Sequence, residues 1–142
     1  MQPMQDEEPC VFCQIRAAAL PASFVLDAPR VYAIMSLEQP NPYKVLVVAK
    51  AHIPTIFDLS DELAASIFQA TVRVSRAVRA ASGCSGINIV QSSGAAAQQD
   101  VFHFHLHIVP RHLGDRITLQ WDNAPMDRGN LDRLAAEIRR HL

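Results

Sequence analysis

The chain has 142 residues, 49% of them hydrophobic and 19% charged, which supplies apolar material for one sizeable core and argues against long-range disorder. Lys and Arg number 13 against 14 Asp and Glu, a net charge of -1, so the cationic cluster needed on a phosphate backbone is missing and nucleic acid is disfavoured as a partner. No apolar run approaches the ~18–20 residues that span a bilayer, and the acid-bearing start, Met1 to Pro9, lacks a secretory pattern, so the expectation is a soluble, cytoplasmic protein without a membrane partner.

In chain order, residues 1–9 read as a mobile tail and 10–142 as a single domain. Cys10 to Leu20 can hold a short helix, closed by Pro21. Cys10 and Cys13 form a C-x-x-C pair, and with Cys84 the cysteine count is odd, too few for a disulfide framework. That spacing suits a metal half-site or a redox pair in a reducing compartment. Strand candidates follow at Phe24–Leu26 and Val31–Met35, with a turn at Ala28-Pro29-Arg30. Pro40 and Pro42 force a loop over 39–42, and the β-branched run within Lys44–Lys50 predicts a buried strand.

The longest helix starts at Ser60, a cap followed by Asp61 and Glu62. Leu63, Ile67, Ala70, Val74, Ala77 and Val78 then recur at helical spacing, and Gly83 ends the element. Ile87–Gln91 predicts a strand, Ser92 to Asp100 a loop, and Val101–Val109 another strand stopped by Pro110. A last helix is expected from Asn130 to Arg140. Short connections among the early strands favour an antiparallel sheet, hence α+β.

The Val101–Val109 segment carries the chemistry. Alternate strand residues face opposite ways, so His103, His105 and His107 fall on one face and Phe102, Phe104, Leu106 and Ile108 on the other. Three imidazoles in a row would repel one another once protonated, an electrostatic cost that is best explained by chemistry or by metal. In one reading an imidazole is a nucleophile whose neighbours bind phosphate or shuttle a proton. In the other all three ligate a catalytic metal. Spacing leaves both open.

His103-Phe104-His105-Leu106-His107-Ile108-Val109 resembles the signature of the histidine triad (HIT) nucleotide hydrolases and transferases. The flanks Gln99-Asp100-Val101-Phe102 and Pro110-Arg111 are similar to those of bacterial members, as are Cys10 to Ile15 and Val45 to Ile53, so the likeness covers roughly residues 10–111. It implies a HIT-like fold: a five-stranded antiparallel sheet with one long helix and a C-terminal helix, sheets joined in a homodimer. It also implies that His105 attacks the α-phosphorus of a purine nucleoside phosphoramidate, nucleotidyl adduct or dinucleoside polyphosphate, forming a nucleotidyl-histidine that water hydrolyses. His107 would hydrogen-bond the phosphate, Gln99 would hold its oxygens, and a protonated histidine would serve the leaving group. The implied nucleotide contacts are Ile34, Ser36, Ser92, Gln99, Val101 and His107, with Phe12, Ile15 and Ile34 around the base.

In the C-x-x-C branch, Cys10, Cys13, His52 and His103 look like a Cys2His2 site for one structural zinc per chain. Several positions depart from the family pattern. Gln98 replaces a glycine, Asp100 a hydroxyl residue, Ser36 a ribose-binding acid, Ser92 an amide, and Tyr43-Lys44 a Gly-His pair. These departures motivate an alternative, a nucleotide-binding scaffold with vestigial catalysis. Trp121 is expected at a dimer interface or over a site.

Overall fold

A computed structural model describes residues 10–142; the tail expected at 1–9 lies outside the described residues. Its elements are α1 (Val11–Arg16), β1 (Phe24–Asp27), β2 (Val31–Met35), β3 (Val45–Ala49), α2 (Asp61–Ser82), β4 (Gly86–Gln91), β5 (His105–Arg111) and α3 (Arg128–Arg139). The strands form one antiparallel sheet in the order β1-β2-β3-β5-β4, which places the histidine strand between two partners. The α+β five-stranded fold with a long helix and a C-terminal helix is therefore as expected.

Both faces of β2 and β3 are covered, which is why these strands read as continuous apolar runs. On one face Val31, Ala33, Val45, Val47, Ala49, Leu106 and Ile108 pack against Leu63, Ile67, Ala70, Val74 and Val78 of α2. On the other, Tyr32, Ile34 and Val48 pack against Phe12 and Ile15 of α1. The ends of α2 follow from its sequence. Ser60 Oγ accepts from the Leu63 N–H at 3.2 Å, and Gly83 takes the left-handed conformation, φ 67°, that closes the helix.

Most boundaries fall within a residue of expectation, and the larger departures have local causes. The first helix stops at Arg16 instead of Leu20, because Ala18 turns to φ 59° and the Ala19 and Leu20 N–H groups fold back onto the Gln14 carbonyl. β5 runs His105–Arg111, not Val101–Val109. Residues 101–104 leave the extended path as the His103 ring is drawn inward to a half-buried cluster of sulfur and nitrogen donors, its Nε2 bonded to the Ala49 carbonyl at 2.6 Å. Pro110 does not stop the strand. The β3 ladder ends at the Val45–Ile108 pair, and the Pro110 carbonyl accepts from Asn41, so no neighbouring strand needs the missing N–H. α3 begins at Arg128, two residues earlier than expected, because Asp127 caps it through the Asn130 N–H at 3.0 Å.

The two helices differ in what they bury. Replacing Ile67, 2% exposed at the centre of the α2 contact, with Ala is expected to cost about 2–5 kcal/mol in urea unfolding. Replacing Ile138 of α3, 65% exposed, is expected to change stability by no more than about 0.5 kcal/mol.

Candidate functional site

The sheet fixes the site's axis. His105 pairs with Val48 and His107 with Leu46, so both imidazoles lie on the α1 side, 5.2 Å apart between ring centroids. His105 is buried, its ring packed 4.9 Å from that of Phe12. Its Nδ1–H donates to the His103 carbonyl at 2.7 Å, which assigns the tautomer and leaves a lone pair on Nε2. The Asp100 carboxylate lies 4.0 Å from that Nε2. Burial lowers the His107 pKa to about 4, helped by the charges of Lys44 and His105 and opposed by Asp100. His107 is therefore neutral at pH 7 in the resting site, which argues against its being the protonated histidine expected for the leaving group.

The three histidines do not form one row along a strand. His103 precedes β5, is fully buried, and turns its Nδ1 away toward Cys10 and Cys13. The opposite face shows the same break: Phe104, Leu106 and Ile108 are buried as expected, whereas Phe102, on the irregular stretch before Phe104, is exposed.

Gln99 has a different occupation from the one expected. It is buried, with Oε1 accepting the Gly94 N–H at 2.7 Å and Nε2 donating to the Pro54 and Val101 carbonyls at 2.7 and 3.1 Å. Both amide hydrogens are spent on the backbone, so Gln99 braces the loop ahead of the histidines and offers no free donor to a phosphate. Gln98 beside it adopts φ 66°, the left-handed backbone that explains why glycine suits this position.

Ile34 is buried with Phe12 and Ile15 in the small core, and Val101 packs at its edge. Ser36 is buried just past β2, where its N–H donates to the Lys44 carbonyl. Ser92 is half-buried and its carbonyl accepts from the Gln91 side chain. Ser93, which sequence reasoning passed over, ties this loop to the 50s segment by accepting the Ile56 N–H at 3.0 Å. An isolated Ser-Ser pair gave no signal for that contact.

The four sulfur and nitrogen donors do converge. Cys10 Sγ lies 3.3 Å and Cys13 Sγ 3.6 Å from His103 Nδ1. His52 Nδ1 lies 3.4 Å from Cys13 Sγ and 3.1 Å from His103 Nδ1. A tetrahedral zinc bound at ordinary S and N distances sets donor–donor edges of about 3.3–3.8 Å, close to these values. The His103 Nε2–H on the Ala49 carbonyl supplies the outer hydrogen bond that orients a ligating imidazole. Burial and the adjacent Cys10 push the Cys13 thiol up, a direction a bound dication would reverse. The donor set fits a metal, and neither His105 nor His107 belongs to it.

The family model of the HIT domain matches residues 17–114. Protein hit of Bacillus subtilis is 34% identical over 140 residues, covering 94% of this chain and 97% of the relative. A crystal structure of a HIT family member from the same organism superposes with a TM-score of 0.90 at 32% identity, covering 95% of this chain and 98% of that one. A zinc-bound histidine triad family protein from Mycobacterium smegmatis gives 0.74 at 32% identity, covering 94% and 98%. More distantly, an adenosine 5'-monophosphoramidase of Schizosaccharomyces pombe is 27% identical over 130 residues, covering 91% of this chain and 95% of the relative.

The His107 environment has a consequence for stability. Its folded pKa, about 4, lies below the ordinary 6.5, so the unfolded chain takes up the proton first as pH falls. The stabilising contribution is complete above about pH 6.5 and lost on the way down to about pH 4. The substitution His107→Gln is expected to flatten the fall of Tm across that window; an unchanged slope in thermal melts would contradict the assignment.

Proposed function

The chain belongs to the HIT family, and from that premise we propose that it is a nucleotide hydrolase cleaving at the α-phosphate of a purine nucleoside phosphoramidate or related nucleotidyl adduct. The observation that carries the reading is the His105 Nδ1–H bond to the His103 carbonyl, which directs Nε2 outward as the candidate nucleophile beside a second imidazole. Nε2 attacks the α-phosphorus, the N–P bond forms, and the P–N bond to the leaving amine breaks. The departing nitrogen keeps the electron pair and takes a proton from solvent. Water then cleaves the histidine–phosphorus bond, releasing the nucleotide and restoring the lone pair. Neutral His107 donates or accepts a hydrogen bond at the phosphate, and Lys44, whose charge reaches His107, favours the anion. Ile34, Ser36, Ser92 and Val101 are the proposed nucleotide contacts, with Gln99 holding the loop that carries Val101 in place. The phosphoramidase activity in the name of the Schizosaccharomyces pombe relative supports this choice of bond.

Zinc is the proposed ion at Cys10, Cys13, His52 and His103, one per chain. Held by four protein side chains, it would supply folding energy and tie α1 to the segments that follow β3 and precede β5. We further propose one domain over residues 10–142, a cytoplasmic location and a homodimer. The unpaired outer edge of β4, with Ile89 of that strand and Phe68 and Val72 of α2 exposed beside it, is the apolar face on which a second copy would add its sheet.

A second reading, a nucleotide-binding scaffold with vestigial catalysis, is favoured by the spent amide of Gln99. His105→Ala separates the two. Under the hydrolase reading it abolishes turnover of adenosine 5'-phosphoramidate while calorimetry still detects AMP binding; wild-type protein that binds AMP yet gives no turnover and no trapped nucleotidyl adduct would favour the scaffold. Metal removal is a separate check. Elemental analysis should find about one zinc per chain, and chelation or Cys13→Ser should lower Tm.

A further inference from the structure

The position of Asp100 bears on which leaving group the site accepts. One carboxylate oxygen is anchored by the Val101 N–H at 2.8 Å and the same oxygen lies 4.0 Å from His105 Nε2. The side chain is 84% exposed, whereas that of His105 is 7% exposed, so the carboxylate stands at the mouth of the site above the nucleophile. The loop that carries it is held by the buried Gln99 amide. Lys44 precedes β3, beyond the Val45–Ile108 pair and therefore past the His107 end of the histidine row. The two imidazoles thus lie between a cation at one end and an anion at the other.

A fixed anion beside the attacking nitrogen gives no help to an α-phosphate, which it repels, so its effect must be judged on the rest of the substrate. During attack the phosphorus comes within about 3–3.5 Å of Nε2, and the departing group stands one bond farther out. A charge on that group, a few ångströms along, remains within reach of the Asp100 carboxylate. At such separations in a wet site, a unit charge is worth roughly three- to tenfold in rate.

We infer that Asp100 determines leaving-group specificity, selecting nucleotidyl substrates whose leaving amine carries a further positive charge and disfavouring anionic leaving groups such as the second half of a dinucleoside polyphosphate. This deepens the hydrolase reading above and rests on it. The bond changes are those already given: the histidine–phosphorus bond forms, the phosphorus–nitrogen bond breaks, and the amine leaves with the electron pair and a proton from solvent. Asp100 forms no covalent bond.

The test uses three AMP phosphoramidates of matched chain length whose amine ends in an ammonium, a methyl or a carboxylate group, with kcat/KM measured on the wild type and on Asp100→Asn. The variant keeps an oxygen for the Val101 N–H and removes only the charge. Wild-type protein should rank the substrates ammonium, methyl, carboxylate, with roughly three- to tenfold per step, and the ranking should compress in the variant and at high salt. Ranking that persists unchanged in Asp100→Asn, or no ranking in the wild type, overturns the inference while leaving the hydrolase reading intact. Failure of the wild type to cleave any of the three overturns the hydrolase reading, and this inference with it.

Discussion

A single backbone hydrogen bond organises the site. The His103 carbonyl accepts the His105 Nδ1–H, and that one contact decides which imidazole nitrogen is free. A histidine on a regular strand would have no reason to meet the carbonyl two residues before it. The bond exists because the chain bends ahead of β5, and the bend exists because the His103 ring is pulled inward. The ladder supplies the position of His105, the proposed nucleophile, and the irregular segment before it supplies the orientation.

The inward pull originates in α1. A six-residue helix cannot hold itself by its own hydrogen bonds, so its position depends on what it is tied to. Three polar ties are visible, one of them from the Arg16 guanidinium to the Lys50 carbonyl at 2.7 Å. Tyr32 donates its hydroxyl to the Phe12 carbonyl at 2.8 Å, and the cysteines on either side of Phe12 approach His52 and His103. Phe12 thereby rests on both His103 and His105, at 5.6 and 4.9 Å between ring centroids. Its burial favours a packing role over direct stacking on a base, and Ile15 and Ile34 share that core with it.

Much of this was legible in the residues. Period-2 and period-3.6 patterns found the strands and α2, since burial against a sheet selects those periods, and the Ser60 and Gly83 signals bounded α2 as their local chemistry requires. The cysteine and histidine donors were assignable by likeness, and they converge. What escaped was local structure set by a tertiary contact. The alternation of 101–109 looks like an unbroken strand because His103 has the strand's phase, yet its ring belongs to another cluster. Gln99 reads as a phosphate donor until its partners, Pro54 and Gly94, are known, and neither adjoins it in sequence. Pro110 reads as a terminator because a sequence does not reveal which flank of a strand is already unpaired.

The sheet order has a consequence for how the site comes apart. Flanked by β3 and β4, the segment bearing His105 and His107 opens only when the whole sheet does, so its amides belong to the slowest-exchanging class. His103 and Asp100 lie on irregular backbone outside that ladder, where the sulfur and nitrogen donors and the Gln99 side chain take the place of strand pairing. Loosening of those ties would therefore release the orienting carbonyl while the strand that bears His105 is still intact. The proposed activity and global cooperativity would then part company below the melting transition, with the irregular segment setting the upper working temperature.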